Sequence, residues 1–244
     1  MCGTCGCEGT ATTLTTVEVE ERVLSRNDTR ARHNRAHFRE EGVLAVNLMG
    51  SPGAGKTAVL EATAGALGDG RRLGALAGDL ATDNDARRLT AAGVASVAVN
   101  TGTACHLDAE VVHHALHHFP WRGLHYLFVE NVGNLVCPAV YDLGQAVNVV
   151  ALSVTEGEDK PLKYPVMFKG ADLVLLTKID LLPALPFVRV EAIEDALARV
   201  MPRPRMLRLS ARTGAGMGAW ADWLEERRRE LAPALPPPAS AVAS

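Results

Sequence analysis

A chain of 244 residues with 48% hydrophobic content can form one large domain or two small ones, with ample material for a core. Its formal net charge of −3 leaves no electrostatic footprint for nucleic acid. The longest apolar runs, such as LAVNLM and YLFV, are too short to span a bilayer, and the start lacks the positive and apolar regions of a secretory signal; the sequence reads as cytoplasmic, with reduced thiols.

The chain opens MCGTCGC, so three of its five cysteines stand in the first seven residues. A chain end is rarely core, and a disulfide framework does not suit a reducing compartment. Soft-metal binding remains: Cys2 and Cys5 have C-x-x-C spacing, Cys7 follows, and thiolates hold zinc, nickel, copper(I) or iron–sulfur clusters. Residues 1–16 therefore read as a cysteine-rich metal-binding start on a flexible, threonine-rich tether. Residues 17–42 are dominated by charge, lack proline and predict a polar helix ending at Gly42. Residues 43–231 carry one alternating strand–helix pattern, and the proline-rich stretch 232–244 is expected to be disordered.

Within the body, Val43 to Met49 is a buried-strand candidate that runs into GSPGAGKT and then a helical pattern. This is G-x-x-x-x-G-K-[ST] in strand–loop–helix context, a phosphate-binding loop. The backbone from Gly50 through Ser51, Pro52, Gly53, Ala54 and Gly55 to Ala58 turns amides toward phosphate oxygens. Lys56 neutralises β- and γ-phosphate charge, and the Thr57 hydroxyl binds Mg²⁺. Further strands are predicted at LGALAGDL, SVAVN, LHYLFVEN, NVVALSV, ADLVLLTKID and PRMLRLSA, with helices at DARRLTAAG, DAEVVHHALHHF and RVEAIEDALARV. The fold class that follows is α/β: a P-loop NTPase with a mainly parallel sheet, helices on both faces and ligands at the carboxyl ends of the strands.

The strand end LLTKID resembles the N-K-x-D guanine motif of GTPases. Asp180 would accept from guanine N1 and N2 together, Lys178 would lie along the base, and Thr177 stands in place of the usual Asn. SARTGAGM resembles the motif whose backbone amides, here at Ser210 and Ala211, meet guanine O6. Cys105 and His106 follow one strand and Cys137 the next. On the nucleotide side of the sheet they would suit Zn²⁺ or Ni²⁺ with an open position, or else be small buried groups. His113, His114, His117 and His118 form two i,i+4 pairs on one helix. With no carboxylate motif beside them they read as a solvated face.

Together GSPGAGKT, GDLATDNDARRL, NTGTACHLDA, ENVGNLVCP, EGEDKPLKYPVMF, TKIDLLP and SARTGAGM resemble the HypB family, the nickel-incorporation GTPases of [NiFe]-hydrogenase maturation. The likeness spans Val43 to about Leu224 and extends to MCGTCGC, similar to the family's C-x-x-C-G-C nickel motif. The histidine-rich tract that some members carry is missing. The resemblance implies a SIMIBI-type GTPase with GTP/GDP, Mg²⁺, Ni²⁺ and Zn²⁺ as ligands and slow hydrolysis. It implies one tight Ni²⁺ at Cys2, Cys5 and Cys7, and a zinc or nickel site at Cys105, His106 and Cys137 at a homodimer interface. Glu130 takes the Walker-B position, Asp79 is the other Mg²⁺-side carboxylate, and Asp83 and Asp85 fall in the switch region. A nickel-delivery accessory protein and the hydrogenase large subunit are the implied partners. The alternative is a nucleotide-gated nickel or zinc store or sensor with little turnover.

Overall fold

The computed structural model describes residues 16–68, 70–79, 82–102 and 106–231, with side chains from Val23 onward. Cys2, Cys5, Cys7, the tether before residue 16, Cys105 and the proline-rich tail lie outside the described residues. In chain order the regular elements are α1 (Thr16–Glu40), β1 (Leu44–Gly50), α2 (Lys56–Leu67), β2 (Leu73–Asp79), α3 (Asn84–Ala91), β3 (Ala95–Asn100), α4 (Ala109–His118) and β4 (Tyr126–Glu130). They continue with β5 (Val147–Ser153), the short α5 (Lys160–Lys163) and α6 (Pro165–Lys169), β6 (Leu173–Thr177), α7 (Val190–Val200), β7 (Met206–Arg208) and α8 (Met217–Leu231).

All seven strands are parallel, in the order β3-β2-β4-β1-β5-β6-β7. After β1 the chain builds one half of the sheet through β4, then crosses β1 to build the other half from β5. The direction therefore reverses at β1, and the crevice at its carboxyl end is where such sheets bind ligands. The central strands are continuous apolar runs because helices bury both faces. On one face Leu44, Val46 and Leu48 pack with Val59, Leu60, Trp220, Trp223 and Leu224 from α2 and α8. On the other, Ala45, Leu127 and Val129 meet Phe38, Val112 and Leu116 from α1 and α4. Among the described residues no helix is long and apolar enough to cross a membrane.

The polar α1 docks through hydrogen bonds more than through apolar area. Asn27 and Asn34, two turns apart, face α4. Asn27 Oδ1 accepts from the Ala109 amide at 2.9 Å, and its Nδ2 donates to Asp142 O at 2.8 Å. Asn34 Nδ2 donates to Ala109 O at 2.9 Å and to Leu143 O at 3.1 Å. Arg35 donates from Nη2 to both carboxylate oxygens of Asp142, each at 2.7 Å.

Candidate functional site: a P-loop joined to a cysteine-bearing loop

β1 is buried throughout and stops at Gly50, where the chain must turn sharply. Gly50 has φ 149°, and a Cβ there would stand 2.5 Å from Ala151 O, so only glycine fits beside β5. α2 begins at Lys56 with no side chain capping its first turn, which leaves its amides directed into the loop. Lys56 Nζ donates to Gly50 O and Ser51 O, each at 3.2 Å. Burial holds this ammonium below the ordinary lysine range, against the opposing pull of Glu130 and Asp85.

The Thr57 hydroxyl lies 2.7 Å from Glu130 Oε1 and 3.0 Å from Asp85 Oδ1. One proton serves two carboxylates. Glu130 is 3% exposed, and its Oε2 is buried without a hydrogen-bond partner among the described residues. Burial first, with the Asp85 charge adding, pushes the Glu130 carboxyl up to about 7, against the Thr57 bond. Asp79 ends β2 and accepts from the Thr82 hydroxyl. These groups line a cleft of ≈ 380 Å³ with Pro52, Gly53 and Gly133.

The T-K-x-D segment is fastened to the same loop. Thr177 is buried, and its hydroxyl donates to Ala54 O at 2.6 Å, so the residue that replaces Asn still ties strand end to phosphate loop. Lys178 takes the left-handed conformation at φ 59°, and its Nζ donates to Gly53 O at 2.6 Å. Asp180 Oδ1 accepts from the Ser210 hydroxyl at 2.6 Å, which joins the two guanine-type motifs. The Ser210 amide donates to Ala215 O at 2.9 Å; Ser210 thus acts on Asp180 through its side chain.

The loop after β4 lies against the P-loop. Gly50 and Asn134 form an antiparallel bridge, and a Cβ on Gly133 would meet Pro52 at 2.9 Å. Three residues past Asn134 comes Cys137, half-buried at the start of a 3₁₀ turn. Tyr141, four residues further on, stacks on His106 with ring centroids 4.0 Å apart. Burial lowers the His106 pKa, with Asp108 opposing, which favours the neutral, ligating imidazole. The described members of the Cys105, His106 and Cys137 set therefore belong to two loops joined through Tyr141.

Asn131, which sequence reasoning passed over, is 1% exposed and connects these loops. Its Oδ1 accepts from the Leu107 amide at 3.1 Å and the Val132 amide at 3.0 Å. Its Nδ2 donates to Asn47 Oδ1 at 3.2 Å, and Asn47 Nδ2 donates to Asn148 Oδ1 at 3.1 Å. The only signal was its place beside Glu130 in ENVGN. Of the α4 histidines, His114, His117 and His118 are exposed, whereas His113 is half-buried and bonded to Asn34 at 3.0 Å.

A family model described as CobW/HypB/UreG, nucleotide-binding domain, matches residues 44–208, from β1 to the end of β7. The hydrogenase maturation factor HypB of Azotobacter vinelandii is 51% identical over 212 residues, covering 87% of this chain and 70% of its own. The chain belongs to the HypB family. The structure of HypB from Helicobacter pylori in complex with nickel superposes with TM-score 0.79 at 36% identity, covering 87% of this chain and 99% of that one. The signal recognition particle 54 kDa protein from Aeropyrum pernix, in complex with GDP, gives TM-score 0.53 at 16% identity over 78% of this chain and 50% of that one. That likeness shows the shared P-loop fold. Residues 44–208 are thus a nucleotide-binding domain, and the chain is a member of a hydrogenase-maturation family.

Proposed function

We propose that the chain is a GTP-hydrolysing nickel metallochaperone that gates Ni²⁺ insertion during [NiFe]-hydrogenase maturation. One observation carries the reading: the P-loop and the Cys137 loop are bridged backbone to backbone. The Gly50–Asn134 bridge and the Gly133–Pro52 contact sit within a few residues of Cys137. A phosphate seated in the P-loop presses on the segment that places this thiol.

In this reading Asp180, oriented by Ser210, accepts from guanine N1 and N2 and selects GTP. The Gly50–Ala58 backbone cradles the phosphates, and Lys56 leaves its carbonyl partners to meet the β–γ oxygens. Water attacks the γ-phosphorus, the bond to the β–γ bridging oxygen breaks, and GDP leaves. Thr57, Glu130, Asp85 and Asp79 fit a hard divalent cation: an all-oxygen set, with the bare Glu130 Oε2 among its members. Mg²⁺ held there would supply charge neutralisation at the phosphates.

Cys2, Cys5 and Cys7 hold one Ni²⁺ as cargo. Cys105, His106 and Cys137 hold Zn²⁺ or Ni²⁺ with a position left for a second copy of the chain. The H. pylori relative in complex with nickel supports nickel as the cargo. The working form is a cytoplasmic homodimer favoured by nucleotide or metal, and it exchanges nickel with an accessory protein and the hydrogenase large subunit. The test is Ni²⁺ affinity of the full chain with GDP and with a GTP analogue, alongside phosphate release from GTP. A nucleotide-dependent affinity with slow phosphate release is expected. Equal affinities in both states would refute gating, and nickel binding without phosphate release would leave a nucleotide-gated store.

A further inference from the structure

Away from the nucleotide cleft, α1 and α4 bring four imidazoles to one crossing. His33 and His37 are one turn apart on α1, and their Nε2 atoms stand 3.2 Å apart. His113 and His117 are one turn apart on α4, with the same Nε2–Nε2 distance of 3.2 Å. Across the groove the rings of His33 and His113 meet with centroids 5.0 Å apart. Imidazole–metal bonds of about 2.0–2.1 Å place nitrogens about 2.8–3.0 Å apart on adjacent corners of an octahedron and about 3.3–3.4 Å apart on those of a tetrahedron, and 3.2 Å lies between the two. Each pair already has the bite of a chelate.

The hydrogen bonds around α4 decide where the lone pair sits. Asn34 is 0% exposed, and both protons of its Nδ2 are given to Ala109 O and Leu143 O. Its Oδ1, 3.0 Å from His113 Nδ1, therefore accepts, and His113 carries its proton on Nδ1. That leaves His113 Nε2 bare toward His117. In the metal-free pair, the His117 Nε2–H donates into this lone pair. A cation takes the place of that proton when His117 moves it to Nδ1, a tautomer change with no net release. A buried acceptor behind a histidine's second nitrogen is the support that metal-ligating imidazoles use. The charged groups nearby are Arg30, paired with Glu110 at 2.6 Å, and Glu40, 3.7 Å from His37 Nδ1.

Among the described residues no three His, Cys, Asp or Glu side chains form a ready-made cage. The arrangement is two open claws, each leaving coordination for water. We propose that the α1–α4 groove is a divalent transition-metal site in which the Nε2 atoms of His113 and His117 hold the ion and His33 and His37 present a second claw beside it. Imidazole nitrogen suits borderline ions such as Ni²⁺ and Zn²⁺ and not hard Mg²⁺. The site is independent of the thiolates and of the delivery reading.

The experiment uses the full chain with its cysteines alkylated, so that no thiolate can bind, dialysed against Ni²⁺ alone. The alkylated wild type should retain a bound ion, and Cu²⁺ in its place should show imidazole nitrogen couplings in pulsed electron paramagnetic resonance. His117→Gln, at an exposed position that leaves the fold undisturbed, should weaken binding by about 10–100-fold, the scale seen when even a supporting partner of a metal ligand is lost. His118→Gln is the control: it is exposed on the same helix, and its ring meets only that of His114, edge-on at 5.1 Å. It should bind as the wild type does. No ion on the alkylated wild type, unchanged affinity in His117→Gln, or an equal loss in His118→Gln would each overturn the proposal.

Discussion

Replacing Glu130 by Gln should stabilise the nucleotide-free protein at alkaline pH and erase part of its pH dependence. Burial raises the Glu130 carboxyl from its ordinary 4.5 to about 7 in the folded state. Below pH 4.5 both states hold the proton. Between 4.5 and about 7 the unfolded chain has released it while the folded chain keeps it. The folded state then binds more protons, so stability falls as pH rises through this window and the loss is complete above it. The shift corresponds to about 3 kcal/mol. The substituted glutamine keeps an oxygen for the Thr57 hydroxyl but puts an amide donor where the bare Oε2 stood, which returns about 1 kcal/mol of that gain. A net advantage of about 2 kcal/mol over wild type at pH 8, falling by about 3 kcal/mol to a deficit of about 1 kcal/mol below pH 4.5, is therefore expected. Urea unfolding in a chelator without nucleotide, at steps from pH 4.5 to 8.5, measures it, and the difference between variant and wild type cancels the other titrating groups. A variant that is no more stable at pH 8, or an advantage that does not change with pH, would refute the burial argument.

The other predictions concern separate parts of the molecule. Lys56→Ala should cut GTP turnover by about 10²–10³-fold, the scale for removing one charge-stabilising donor, with phosphate release as the assay. Asp180→Asn should cost guanine nucleotides about 1–3 kcal/mol of affinity and leave adenine nucleotides unchanged, read by competition with a fluorescent nucleotide. Replacing Cys2, Cys5 and Cys7 together by Ser should remove one tight Ni²⁺ and spare GTP hydrolysis, as equilibrium dialysis beside phosphate release would show. Asn34→Ala leaves two buried carbonyls and His113 Nδ1 without their partner, so thermal or urea unfolding should report a loss of about 2–4 kcal/mol.

Most of the sheet was legible because its strands are short apolar runs bounded by glycine, asparagine and charge. The run from Val43 to Met49 and the glycines after it announce β1 and the P-loop by themselves. TKID and SARTG were legible as a pair through their order along the chain, though only the fold shows Ser210 bonding Asp180. What stayed hidden is what long-range contact alone creates. Asn27 and Asn34 look like ordinary polar positions of a charged helix until Ala109 and Leu143 are placed beside them. His33 and His37 are 80 residues away in sequence from His113 and His117, so no local pattern joins them. Asp85 falls where a phosphate-responsive residue is expected, but its approach to Thr57 depends on α3 packing against α2. Asn131 reads as a loop residue, and its burial follows from the loop folding back under the P-loop.

The row of amides beneath the P-loop, buried at Asn131 and Asn47 and half-buried at Asn148 and Gln145, has a consequence for how such a sequence can drift. Leu107 and Val132 pin the Asn131 oxygen, so Asn131 donates to Asn47, Asn47 to Asn148, and Gln145 to the same Asn148 oxygen at 3.0 Å. The row has one direction. Turning any amide over sets donor against donor on one side and acceptor against acceptor on the other. An aliphatic side chain at Asn47 alone would strand the Asn131 Nδ2 donor, at a cost of about 1–3 kcal/mol, while the Asn148 oxygen would keep Gln145 as its donor. An apolar version of this layer is reachable only by changing several positions at once, and every single step toward it passes through a less stable protein. Asn47 and Asn131 are thus coupled through their amides, and a change at either is felt at the other.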